Sequence, residues 1–149
     1  MIIDIIESSG RALPSDTAEQ IAKVFEQRFT TVPGQRVALI CTDDNEISDY
    51  NKQFFGRTVP TDVISVNIDE QFDDGYLWGE IYISTETAQN EARKRNTSWE
   101  EEGFLYFIHG LLHLYGFDDS TDADRRRMWD IQKDILEQCG IFRESFVEE

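Results

Sequence analysis

The chain has 149 residues, with 14 Lys and Arg against 30 Asp and Glu and a formal charge of −16. That length suits one domain burying about 70% of its unfolded surface, and 40% hydrophobic with 12% aromatic residues excludes a disordered acidic tail. The charge excludes a protein that grips nucleic acid by bulk positive potential, two cysteines exclude a disulfide scaffold or a four-cysteine zinc site, and no apolar run reaches the roughly 18 residues that span a bilayer.

The opening Met1-Ile-Ile-Asp-Ile-Ile-Glu7 has neither a basic n-region nor a cleavage site, so no secretory signal is read there. A cytoplasmic protein with a single domain over 1–149 is expected. Ile2, Ile3, Ile5 and Ile6 predict a short strand. Beyond Gly10 and Pro14, Asp16 stands three residues before Glu19 in capping-box spacing, and Ala18, Ile21, Ala22, Phe25 and Phe29 recur at helical period until Pro33-Gly34. Residues 37–42 read as a buried strand. Asp43 then caps a short helix with Ile47, Tyr50 and Phe54 on one face. Gly56 and Pro60 punctuate a loop.

Residues 63–68 alternate as a half-buried strand, the acidic stretch 69–75 reads as a turn or loop, and 78–83 as the partner strand. A helix over 85–95 follows. Ser98 and Glu101 make another capping box, opening a helix that runs to Tyr115 and stops at Gly116. A last helix begins near Ser120 and continues through Met128, Ile131, Ile135 and Leu136. This order predicts an α+β fold, a small mixed sheet of about four strands with helices packed on it.

Both histidines of the chain lie in His109-Gly-Leu-Leu-His113, on the best-marked helix. Four residues apart, they project from one face a turn from each other, which is metal-ligand spacing. Two hydrogen-bonded interior histidines are the alternative reading of that pair alone. The glycine turn at Gly116, with Asp118 and Asp119 immediately beyond, favours a metal. His109, His113 and Asp119 make three protein ligands at the C-terminal part of a buried helix and leave a position for water, as catalytic zinc does. Gly110 occupies the position where a His-Glu-x-x-His peptidase carries its general base, which counts against peptide hydrolysis. A non-haem iron triad ranks lower, because its ligands usually come from strands.

The segment His109-Gly-Leu-Leu-His-Leu-Tyr-Gly-Phe-Asp-Asp119 resembles the H-G-x-L-H-L-x-G-Y-D-H pattern of the YbeY-type endoribonucleases, the bacterial rRNA maturation factors. Asn51-Lys-Gln-Phe-Phe-Gly56, Pro60-Thr-Asp-Val-Ile-Ser65 and Gly79-Glu-Ile-Tyr-Ile-Ser84 continue the likeness in family order. The resemblance implies a zinc-dependent, single-strand-specific endoribonuclease acting in 16S rRNA 3′-end maturation and ribosome quality control. It implies single-stranded rRNA and the small ribosomal subunit as partners. The family's third histidine falls on Asp119, a harder ligand that admits Mn²⁺ or Fe²⁺ beside Zn²⁺. Its usual arginine falls on Phe55, leaving Arg57 as a substitute cation or a plain surface charge.

Asp62 has two readings, as the acceptor that orients a metal-ligating histidine or as a turn cap before a strand. Trp78, Tyr115 and Phe117 read as packing residues before base-stacking ones. The basic clusters 93–95 and 125–127 read first as solvated helix faces and second as local bases through which an acidic enzyme engages nucleic acid. An alternative function is a non-catalytic, metal-stabilised assembly factor whose acidic surface meets basic ribosomal proteins or another assembly factor.

Overall fold

A computed structural model describes residues 1–146. The elements run β1 (Ile2–Glu7), α1 (Ser15–Arg28), β2 (Gln35–Thr42), α2 (Asp44–Phe55), β3 (Val63–Phe72), β4 (Gly75–Ser84), α3 (Thr85–Arg95), α4 (Trp99–Leu114) and α5 (Asp122–Gln138). They form the expected α+β arrangement around a mixed four-stranded sheet of order β1-β2-β4-β3. β1 and β4 run parallel to β2, and β3 pairs antiparallel with β4 at the edge.

β2 reads as a continuous apolar run because helices cover both faces of the sheet. Val37, Leu39 and Cys41 point into the larger core beside Ile81, Ile83, Phe25 and the buried side of α4. Ala38 and Ile40 point the other way, into a smaller core with Ile47 of α2, Ile64 and Tyr82. α4 is the central helix. Every residue from Glu102 to Leu112 is buried, as a helix apolar around most of its circumference must be.

Two of the three expected capping boxes form. Asp43 accepts the Glu46 N–H and Ser98 accepts the Glu101 N–H, each reciprocated by the glutamate. The box expected at Asp16 does not form: α1 starts two residues earlier, with Pro14 in the cap position, and the Asp16 carboxylate accepts the adjacent Thr17 N–H instead. α1 also ends at Arg28, ahead of Pro33, because Phe29 leaves the helix with extended backbone. It then packs its ring on Tyr115 and Phe117.

The acidic stretch 69–75, expected as a loop, is mostly strand. β3 continues to Phe72 and β4 begins at Gly75, so Asp73 and Asp74 alone make the hairpin turn. The register slips between Asn67 and Glu70, where Asp69 takes a positive φ of 54° and accepts the Tyr76 hydroxyl. Composition suggested a loop, but these carboxylates lie on an exposed edge strand, where charge discourages pairing with a second chain.

The helix carrying the histidines approaches the sheet closely at Gly110. A Cβ there would stand 2.8 Å from Ser65 Oγ and 2.9 Å from Ile81 Cγ2. The Ser65 hydroxyl donates to the Gly110 carbonyl at 2.9 Å. Gly110→Ala must therefore displace Ser65 and Ile81 or push α4 off the sheet, and we expect a net loss of about 1–2 kcal/mol by chemical denaturation, after the roughly 1 kcal/mol alanine gains in helix propensity. Unchanged stability would contradict the close approach.

Candidate metal centre

α4 delivers His109 and His113 to one point. Their Nε2 atoms stand 3.0 Å apart, and Asp119 Oδ2 lies 3.5 Å from the first and 3.4 Å from the second. Ligands about 2.0–2.1 Å from a tetrahedral zinc stand roughly 3.3–3.4 Å from one another. The observed triangle has that size.

The tautomers are fixed from outside it. His109 Nδ1 lies 2.9 Å from Gln132 Oε1, and His113 Nδ1 lies 3.0 Å from the Phe117 carbonyl oxygen. The Phe117 carbonyl can only accept, so His113 Nδ1 carries the proton, and with Gln132 presenting Oε1 the same holds at His109; each neutral ring then turns an Nε2 lone pair inward. Three acceptors then face one point, an arrangement that calls for a cation. A shared proton is a poor substitute at His109, whose pKa burial pushes below its ordinary value against the raising effect of the Gln132 hydrogen bond.

The segment after α4 is folded to serve these rings. Gly116, at φ 92°, turns the chain back so that the Phe117 N–H donates to the Leu112 carbonyl and its own carbonyl reaches His113. Asp118 then accepts the N–H groups of Asp119 and Ser120 and the Ser120 hydroxyl. The Ser120 hydroxyl leads the effects that lower the Asp118 pKa. This Asx turn aims the Asp119 side chain at the imidazoles. Side-chain exposure rises from 9% at His109 to 31% at His113 and 39% at Asp119, so the triangle opens to solvent on one side.

Two sequence candidates take other places. Asp62 does not orient a histidine: its Oδ1 accepts the Val63 N–H at 2.8 Å and the Thr61 hydroxyl at 3.4 Å, capping the start of β3. It still lines a groove with His109 and Asp119, and its charge acts on His109. Arg57 is exposed in the loop after α2, outside that lining. Among the described residues lining the groove, the one cation is Arg95, held by Glu91 and, at 2.9 Å, by the fully buried Glu102. Trp78, Tyr115 and Phe117 pack as expected, with Trp78 edge-on to Tyr115 and Tyr115 stacked on Phe25.

A family model described as Endoribonuclease YbeY matches residues 6–140. The chain belongs to the YbeY endoribonuclease family. The Endoribonuclease YbeY of Bacillus licheniformis is 32% identical, covering 97% of this chain and 99% of its own length. That of Aliarcobacter butzleri is 35% identical over 97% and 100%. A solution structure of a Thermotoga maritima protein, 28% identical, matches with a TM-score of 0.64 over 93% of this chain and 89% of that one. No helix among the described residues is long and apolar enough to cross a membrane.

Sequence reasoning missed Gln132 and Arg95. Gln132 left a signal, since it shares the apolar stripe of α5 with Met128, Ile135 and Leu136, where an amide needs a reason. Arg95 left a weak one, since it falls in the basic cluster 93–95, where a solvated helix end is the commoner reading. Gln132→Met keeps the length and removes the acceptor. We expect divalent-metal affinity to fall about 10–100-fold with the fold intact, read by competition with a chromophoric chelator. Unaltered affinity would reduce Gln132 to packing.

Proposed function

We propose that the chain is a zinc-dependent endoribonuclease acting on single-stranded rRNA, with His109, His113 and Asp119 as the metal ligands. The acceptor triangle carries this reading. As a family member the chain is a nuclease that hydrolyses RNA phosphodiester bonds. Two imidazoles and a carboxylate suit zinc, and the carboxylate also admits Mn²⁺ or Fe²⁺. A divalent ion bound there supplies Lewis acidity at a phosphoryl oxygen and acidifies water at neutral pH.

The chain's own residues supply the rest. Gln132 and the Phe117 carbonyl hold the rings in the ligating tautomer. Arg95, fixed from behind by Glu102 and Glu91, presents its remaining N–H donors to a phosphate entering the groove. Asp62 lines the same groove outside the ligand triangle, which supports it as the carboxylate that takes a proton from water there. Arg57 has no part in this arrangement.

The family resemblance supports the finer assignment: 16S rRNA 3′-end maturation on the small ribosomal subunit, in the cytoplasm. The surface charge of −16 supports basic ribosomal proteins or an assembly factor as further contacts of the same enzyme. It does not favour a non-catalytic role over the nuclease.

His113→Ala is expected to lose both bound metal and RNA cleavage, measured by elemental analysis and a single-stranded RNA assay with and without chelator. Full cleavage by the metal-free variant would refute the reading. Arg95→Gln is expected to retain its metal while kcat/KM falls about 10–100-fold, as loss of a charged hydrogen bond to phosphate predicts. A variant as active as the wild type would remove Arg95 from the reaction.

A further inference from the structure

The triangle has a second side. Where His109 and Asp119 face the charged groove, His113 lines a cavity of about 270 Å³ with Phe55, Val63, Ile64 and Ser65. None of these is a carboxylate, in a chain that has 30 Asp and Glu. Phe55 is the last residue of α2, and Gly56, left-handed at φ 73°, turns the chain away from it. Its neighbour Phe54 turns inward toward Tyr50 and Tyr82, while Phe55 remains 57% exposed. An exposed aromatic face therefore stands across an uncharged cavity from a metal-ligating histidine.

We propose that this cavity is a nucleobase subsite, in which one unpaired base of the RNA stacks on Phe55 while its phosphate lies at the triangle. The inference rests on the RNA substrate proposed above and names what the substrate does there. An RNA strand offers two chemistries, anionic phosphates and neutral planar bases, and only the second suits this lining. The volume falls just below the roughly 300–1,000 Å³ of a drug-sized pocket, which fits one base. The Ser65 hydroxyl spends its proton on the Gly110 carbonyl, so its oxygen is left to accept a base N–H. Stacking on an aromatic is tolerant of sequence and worth about 1–3 kcal/mol per base. A base enters such a cavity only when it is free of a duplex, so the subsite selects single strands.

Fluorescence anisotropy with a short labelled single-stranded RNA tests this on the metal-loaded protein. Phe55→Ala is expected to raise Kd about tenfold, Phe55→Trp to keep it, and Phe55→Leu to follow alanine because it restores bulk without a π face. An oligonucleotide abasic at the seated position should bind wild type about tenfold more weakly and Phe55→Ala no differently from the intact strand. A 5-iodouracil photocrosslink should map to Phe55. Equal Kd for wild type and Phe55→Ala, no binding by wild type, or crosslinks only outside the cavity overturns the proposal. Cleavage that survives chelation sinks the metal chemistry and leaves the anisotropy result standing. Unchanged binding by Phe55→Ala alongside chelator-sensitive cleavage sinks only the subsite.

Discussion

Three acceptors aimed at one point are the constraint on which this molecule turns. Two imidazole nitrogens 3.0 Å apart, both with lone pairs inward, repel each other and the nearby carboxylate unless a cation lies between them. Swapping the proton at His113 would set a bare Nδ1 against the Phe117 carbonyl, and at His109 it would require the buried Gln132 amide to turn over. Neither ring can swing away easily, because α4 is buried along most of its length. The polar cost is therefore built into the fold, and cation binding relieves it. Metal affinity and stability are coupled in such a site.

A protein this acidic acts on a polyanion by confining favourable charge to a few points. Arg95 shows how. Its guanidinium is tied to Glu102, which is fully buried and also accepts the Thr97 hydroxyl at 2.9 Å. Burial pushes the Glu102 pKa up, while Thr97 and Arg95 pull it down. A buried ion pair is weak evidence for stability. Its effect here is placement, since it fixes a cation on the groove wall opposite Asp62 and Asp119. The other basic residues are used locally, as where Arg125 pairs with Asp122 and Arg127 lies 5.4 Å from the Phe117 ring centre. With a net charge of −16, bulk charge opposes RNA binding, and favourable contacts must be local.

What the sequence made legible follows interaction range. The histidine pair, the glycine turn, Asp119 and the boxes at Asp43 and Ser98 involve partners within ten residues, and their spacing carries the geometry. The hairpin was obscured because composition describes solvent exposure and an edge strand is exposed. Gln132 lies 23 residues from His109 and reaches it only because α5 packs across α4. Arg95 lies 14 residues before His109, on a separate helix. Of the two readings of Asp62, the local one holds, because its Oδ1 accepts the adjacent Val63 N–H. The cavity at Phe55 joins a helix end, a strand and a histidine 58 residues away, a juxtaposition no spacing encodes.

Gly110 connects the architecture to the chemistry. A helix presenting two ligands a turn apart has a natural place for a general base between them. Here that place is pressed on the sheet, with Ser65 and Ile81 where a side chain would begin. Any larger residue would have to displace Ser65 and Ile81 or lift α4, so this position of the helix has no room for a base. The carboxylates beside the triangle in the groove are Asp62 and Glu91, and Asp62 stands three residues before Ser65, just ahead of the strand Gly110 touches.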